Sequence, residues 1–191
     1  MSDPPAGWAI LVLDMVGDMF AHATLSRQRP SLVSAINTLT DAGHDAGHLV
    51  VWIRQEYEAD LSDAPLQFKR RSIHSTIAGT AGAELLPELN VSPSDHLVVK
   101  KRYSGFFGTE LDEYLRRERV GRLVVVGVNT HACVRMTAID AYQLDYDVVI
   151  VKECVGSYDQ AHHEMSLRYM DGKIARIIAL RDFLTAQPAR A

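Results

Sequence analysis

The chain has 191 residues, 47% hydrophobic and 23% charged, with a formal net charge of −4 at pH 7. That length suits a single domain, 1–191, with its own core, and the absence of any basic block or basic-aromatic face excludes a dedicated nucleic-acid binder. No apolar run is long enough to cross a bilayer, and the opening MSDPPAG lacks the basic and apolar regions of a signal peptide, so a cytoplasmic protein without a membrane partner is expected.

Residues 1–7 read as a flexible N-terminus, and the first strand is WAILVLD (8–14). A helix follows over SLVSAINTLTDAG, with Leu32, Val33, Ile36 and Leu39 on one face and a glycine at its end. HLVVWIR (48–54) is the second strand. The next stretch, 55–82, shows no sustained period. A connection that long is usually functional or disordered, and Leu66, Phe68 and Ile73 are available to tuck inward, which predicts an ordered active-site lid. HLVVK (96–100) is the third strand, and TELDEYLRRERV a helix that Thr109 and Asp112 open in a capping-box-like spacing. The basic cluster RRERVGR (116–122) is its solvated end. RLVVVGV (122–128) is the fourth strand and HACVRMTAIDAYQL a helix behind it. YDVVIVK (146–152), the helix AHHEMSLRYM and ARIIALR (175–181) complete the chain. Continuous Val/Ile/Leu runs are what parallel strands buried on both faces require. Their alternation with helices predicts an α/β, three-layer α/β/α Rossmann-like domain with a six-stranded parallel sheet.

In open parallel sheets, ligands gather at the carboxyl ends of the strands. Those ends carry Asp14, Arg54, Lys100 and, just past the fourth strand, Cys133. With Thr130 as N-cap, Cys133 is the third helical position, where free N–H groups and the helix dipole favour an anion and lower a thiol pKa. The same N–H groups suit an oxyanion. The plainer reading is a small buried core cysteine. Cys154, the other cysteine, has no such electrostatics and reads as core, and two cysteines without CxxC spacing give neither a structural disulfide nor a cysteine metal site. Asp14 is either a turn aspartate or a functional carboxylate needing a partner, and Lys100 would keep it ionised. Lys101 reads as solvated. His162 and His163, adjacent on a helix, point apart and read as surface residues rather than metal ligands.

With those positions assembled, KKRYSGFFGTELDEYLRRERVGRLVVVGVNTHACVRMTAIDAY and GTAGAELLPEL (79–89) resemble the isochorismatase-like cysteine hydrolases over nearly the whole chain. The resemblance implies the sheet order 3-2-1-4-5-6, which puts Lys100 on an edge strand from which it must reach inward. It also implies a catalytic triad of Asp14, Lys100 and Cys133, and a cis peptide between Val128 and Asn129 that aims the Asn129 N–H, with that of Cys133, at the oxyanion. Relatives of this kind commonly assemble as dimers or tetramers, so a homodimer or homotetramer is implied. Two departures stand out. The family's Asp-Met-Gln-Asn-Asp-Phe is DMVGDMF here, with Val16 in place of the glutamine. The Asp-x-His metal ligands of nicotinamidases are replaced by RQEYEAD, so no metal and no cofactor are expected. Members that cleave the vinyl ether of isochorismate lack the cysteine, and RYSGFFGT looks most like the ureidoacrylate and N-carbamoyl amidohydrolases.

These features give a cysteine-dependent hydrolase that cleaves a C–N bond of a small amide, ureido or N-carbamoyl substrate through a thioester. Phe20, Trp52, Tyr103, Phe106, Phe107 and Tyr158 are candidates for an aromatic pocket, against the alternative that they are core. Arg54, with Arg70 or Arg71, is a candidate partner for a substrate carboxylate, against solvated lid charges. Two competing readings remain. An aspartate-nucleophile phosphatase loosely fits LVLDMVGD, but Asp14 and Asp18 are four residues apart instead of two. A catalytically silent binding protein on the same fold is the other.

Overall fold

The computed structural model describes residues 7–186. Seven strands form one sheet: β1 (Gly7–Leu13), β2 (Leu49–Gln55), β3 (His96–Lys100), β4 (Val120–Val128), β5 (Asp147–Val151), β6 (Val155–Gly156) and β7 (Arg176–Ile178). Every pairing is parallel, in the order β3-β2-β1-β4-β5-β7, and the two-residue β6 pairs with β4 beyond the end of β5. The six predicted strands are therefore present in the predicted order, with β6 added and the last shortened by the start of a helix at Leu180. Ile10 to Leu13, Leu123 to Val126 and Val149 to Val151 are nearly solvent-free, as strands covered on both faces must be. Of the predicted flexible N-terminus, residues 1–6 lie outside the described residues, and Gly7 belongs to β1.

Among the described residues there are six α-helices, α1 (Ala23–Asp45), α2 (Leu66–Arg71), α3 (Leu111–Arg117), α4 (Arg135–Gln143), α5 (Gln160–Met170) and α6 (Leu180–Ala186), of which α2 lies in the 55–82 segment. Helix α1 starts eight residues before the predicted helix and runs through Pro30. Proline removes one backbone hydrogen bond there. The early turns are held instead by the burial of Leu25, the His22 ring accepting the Thr24 N–H, and an Arg29–Glu88 ion pair. The predicted capping box of α3 does not form. The Thr109 hydroxyl donates to the Gly105 carbonyl, while Asp112 binds Arg116 and the Tyr146 hydroxyl.

The 55–82 segment is ordered. Tyr57, Leu61 and Ala64 form a small core of their own, against which Phe68 and Ile77 pack. Phe68 tucks inward as predicted, but Leu66 is 59% exposed, because the short helix α2 turns it outward. The segment is laced to the turn after β1. Asp18 accepts the Thr76 N–H at 2.7 Å, its own N–H donates to Gly82 O, and Val16 bridges to Leu85. Val16 thus fills a fully buried apolar position.

The winding direction reverses between β1 and β4, and such a switch point opens a crevice beyond the carboxyl ends of the two strands. Gly127 lets the strands approach there. Its φ is +108°, and a Cβ would lie 2.1 Å from Leu13 O, so no other residue fits without moving β1.

Candidate active site

Asp14 is the residue that follows β1, with φ of +54°, a left-handed conformation uncommon outside glycine. Its N–H donates to Ile53 O at 2.8 Å, and its Oδ1 accepts the Gln55 N–H at 2.8 Å. Both bonds tie it to the end of β2. Its other oxygen, Oδ2, lies 2.8 Å from Lys100 Nζ as an ion pair but accepts no well-directed hydrogen bond. That oxygen keeps a lone pair for another proton.

Lys100 ends β3, two strands away, and sits in register with Gln55. Partners in a parallel ladder project their side chains to the same face, so Lys100 crosses over the end of β2 to reach Asp14. Its side chain has no solvent exposure. Nζ donates to Arg102 O at 3.1 Å and to Cys133 Sγ at 3.4 Å. Burial works against its charge, but the charges of Asp14 and Cys133 outweigh that and raise its pKa.

Cys133 lies in a single wide helical turn, Thr130–Val134, that precedes α4 and closes through the i to i−5 bond from the Val134 N–H to Asn129 O. The peptide bond between Val128 and Asn129 is cis. Thr130 is not the N-cap that the sequence predicts. Asn129 holds that position, and the Thr130 hydroxyl is taken by Gly156 O and the His163 ring. Cys133 is consequently the fourth residue of the turn instead of the third. The thiol also departs from expectation. Burial, and then the adjacent Asp14 charge, push it up to about 12, against the lowering effect of Lys100. Desolvation opposes the helix terminus here and favours the protonated thiol.

The other predicted site residues divide. Tyr103 and Phe107 line a groove of about 470 Å³ beside the loop that follows β3. Phe20 is core, and so is Trp52, whose Nε1 donates to Asp95 at 2.8 Å. Phe106 is half-buried and stacks on Tyr146. Tyr158 stands half-exposed against His22 and His131, its N–H donating to Asn129 Oδ1. Arg54 is engaged by Glu56 and Glu84, so its charge is already met within the chain. His162 pairs with Asp159 on the surface, whereas His163 is half-buried on Thr130. Among the described residues, no three His, Cys, Asp or Glu side chains converge as a metal-ligand group.

Sequence reasoning passed over Gln55 and Tyr57. Tyr57 is almost solvent-free and held by backbone bonds to Thr76 and Ala78. Its phenol is raised by burial, then by the charges of Cys133 and Asp14, which marks its place beside them. The available signal was position: both residues stand at the carboxyl end of β2, where sites form. Thr137, one turn past Cys133, accepts the Gly105 N–H at 2.9 Å and fixes the loop after β3 against α4.

The chain matches the isochorismatase domain over residues 8–182. It is 34% identical over 151 residues to a probable inactive nicotinamidase from Arabidopsis thaliana, covering 75% of this chain and 76% of that protein. Among solved structures it resembles an isochorismatase family protein from Desulfovibrio vulgaris, with 30% identity, a TM-score of 0.84, and coverage of 91% and 94%. It also resembles N-carbamoylsarcosine amidase from Thermoplasma acidophilum, with 26% identity, a TM-score of 0.76, and coverage of 91% and 96%. The match runs from Trp8 in β1 to Asp182 in α6, across every strand of the sheet, and the chain belongs to the isochorismatase-like hydrolase family.

Proposed function

We propose that this hydrolase cleaves a C–N bond of a small amide, ureido or N-carbamoyl compound through a thioester on Cys133, with Asp14 as proton carrier and Lys100 as the fixed charge between them. One observation carries the reading: a buried ammonium stands 2.8 Å from a carboxylate and 3.4 Å from a thiol sulfur, at the switch point of the sheet. Burying a carboxylate and an ammonium costs several kcal/mol per ion, and a purely structural role would be served better by apolar residues. The amidase among the similar structures supports the C–N bond as the target.

Burial, which favours the protonated thiol, sets the order of events. As Sγ approaches the substrate carbonyl carbon, its proton passes to Asp14, and sulfur attacks as it becomes an anion. The carbonyl oxygen takes the negative charge, for which the backbone N–H groups of Asn129 and Cys133 are the proposed donors. Collapse of the tetrahedral intermediate breaks the C–N bond, and Asp14 returns its proton to the departing amine or ammonia. Water then adds to the thioester carbon, giving a proton to Asp14. Cleavage of the C–S bond releases the acid, and the proton returns to sulfur. Lys100 stays charged throughout and stabilises Asp14 whenever it is ionised.

A silent binding protein is the second reading, favoured by a resting thiol held at about 12 and by the inactive relative. Ammonia release over a panel of amides, ureas and N-carbamoyl acids, with intact-mass detection of an acyl adduct, separates the two. Turnover that disappears in Cys133→Ala, with a substrate-derived mass on Cys133, supports hydrolysis. Full turnover in Cys133→Ala overturns it.

A further inference from the structure

The groove beside the loop after β3 is lined by none of Asp14, Lys100 and Cys133, but in part by residues that neighbour them in the chain. Its apolar walls are Pro65 and Phe68 from the 55–82 segment, Tyr103 and Phe107 from the loop, and Met136 from α4. Tyr103, Phe107 and Met136 are 53%, 65% and 43% exposed, an uncommon concentration of large apolar groups on an otherwise ordinary surface. Two links join it to the triad. Met136 and Asp140 belong to α4, the helix that directly continues the turn bearing Cys133. Arg102, also in the lining, gives its carbonyl to Lys100 Nζ at 3.1 Å. The Arg102 guanidinium donates through one nitrogen to the carbonyls of Asp63 and Lys101, and no carboxylate among the described residues pairs with it. Arg102, a cation with no ion-pair partner among the described residues, therefore lines a largely apolar groove that also carries Asp140 and whose 470 Å³ is within the range of small-molecule sites.

Resting on the hydrolase reading above, we infer that this groove is the subsite for a bulky apolar group on the substrate, and that Arg102 receives a carboxylate next to the scissile carbamoyl or amide group. The substrate class is then an amide or ureide of an aromatic or branched aliphatic amino acid, in which the carboxylate and the side chain leave the same carbon. A small polar ureide would leave the groove empty.

Calorimetric binding to the Cys133→Ala protein tests this without turnover, using N-carbamoylglycine, N-carbamoylphenylalanine and the carboxamide of the latter. The expected result is a Kd roughly ten to a hundred times lower for the phenylalanine compound than for the glycine one, the range set by burying one large apolar side chain. Phe107→Ala and Met136→Ala, both at exposed positions, should each narrow that ratio. Arg102→Met should weaken the acid about tenfold and spare the carboxamide. Equal affinities for the glycine and phenylalanine compounds, or a ratio unmoved by Phe107→Ala, overturn the inference. So does a groove filled by a second copy of the chain, seen as a dimer that Phe107→Asp dissociates while the ligands do not discriminate. Ammonia release by the Cys133 protein is measured in parallel. If discriminating binding occurs but no compound is hydrolysed, the hydrolase reading fails and the subsite stands. If both compounds are hydrolysed equally well, the reverse holds.

Discussion

Lys100 reaches across the end of β2 to place its ammonium 2.8 Å from Asp14, and neither side chain touches solvent. Removing one partner strands the other as a buried charge, at a cost of about 3–5 kcal/mol. Lys100→Met should lower unfolding free energy in urea by about that amount. The double variant Lys100→Met with Asp14→Asn should lose less than the sum of the two single variants. Additive losses would mean the two groups are not coupled.

Asp14 and Cys133 make opposed predictions for reactivity and turnover. The Asp14 charge raises the thiol, so removing it stabilises the thiolate and lowers the pKa. Asp14→Asn should therefore be alkylated by iodoacetamide faster than the unaltered protein at the same pH. Its hydrolysis should fall by roughly 10²–10⁴, the usual contribution of a general acid–base. The unaltered protein, its thiol held at about 12, should be alkylated more slowly at pH 8 than a free thiol. Faster alkylation would show that the resting sulfur is an anion.

Both buried thiols also predict a loss of stability in alkali. Cys154 is pushed up to about 12 by burial and then by Glu153, and Cys133 to the same range. A thiol near 9 in the unfolded chain gives up its proton first there, so the unfolded state binds fewer protons and stability falls as pH rises from about 9 towards 12. Below pH 9 these groups contribute no slope. Melting temperatures of Cys154→Ala should decline less steeply over that window than those of the unaltered protein, and an identical slope would refute the assignment.

Gly127→Ala should be severe. A Cβ there meets Leu13 O at 2.1 Å, and φ of +108° is strained for any L side chain. A loss of at least ~3 kcal/mol is expected, together with loss of hydrolysis, because β1 and β4 must separate just before Asp14 and Asn129. Retention of wild-type stability would mean that the strands do not approach this closely.

Trp52→Phe should act on stability alone. Its indole N–H donates to buried Asp95 in the core, so a loss of about 1–3 kcal/mol with an unchanged KM is expected. A raised KM would return Trp52 to the pocket in which its aromatic character first suggested it.

The strand runs and the three chemistry-bearing positions were legible because they depend on local pattern, whereas the sheet order came only through the family resemblance. A Val/Ile/Leu run buried on both faces announces itself, and a polar residue ending such a run is conspicuous, as Asp14 and Lys100 are. Cys133 was legible from its place after β4, but its charge was not. The helix terminus that favours a thiolate is a local feature, whereas the burial and the Asp14 charge that raise the thiol, against the opposing effect of Lys100, come from parts of the chain distant in sequence. Arg54 and Trp52 misled for the same reason, since their partners Glu84 and Asp95 lie 30 and 43 residues away. Gln55 and Tyr57 were missed because only their position at the carboxyl end of β2, and nothing in their residue type, marks them. Sequence alone determined which elements form and which groups stand at the sheet's functional edge. Tertiary structure decided their protonation, their partners and the groove beside them, because desolvation and Coulomb energy depend on distances that only the folded chain sets.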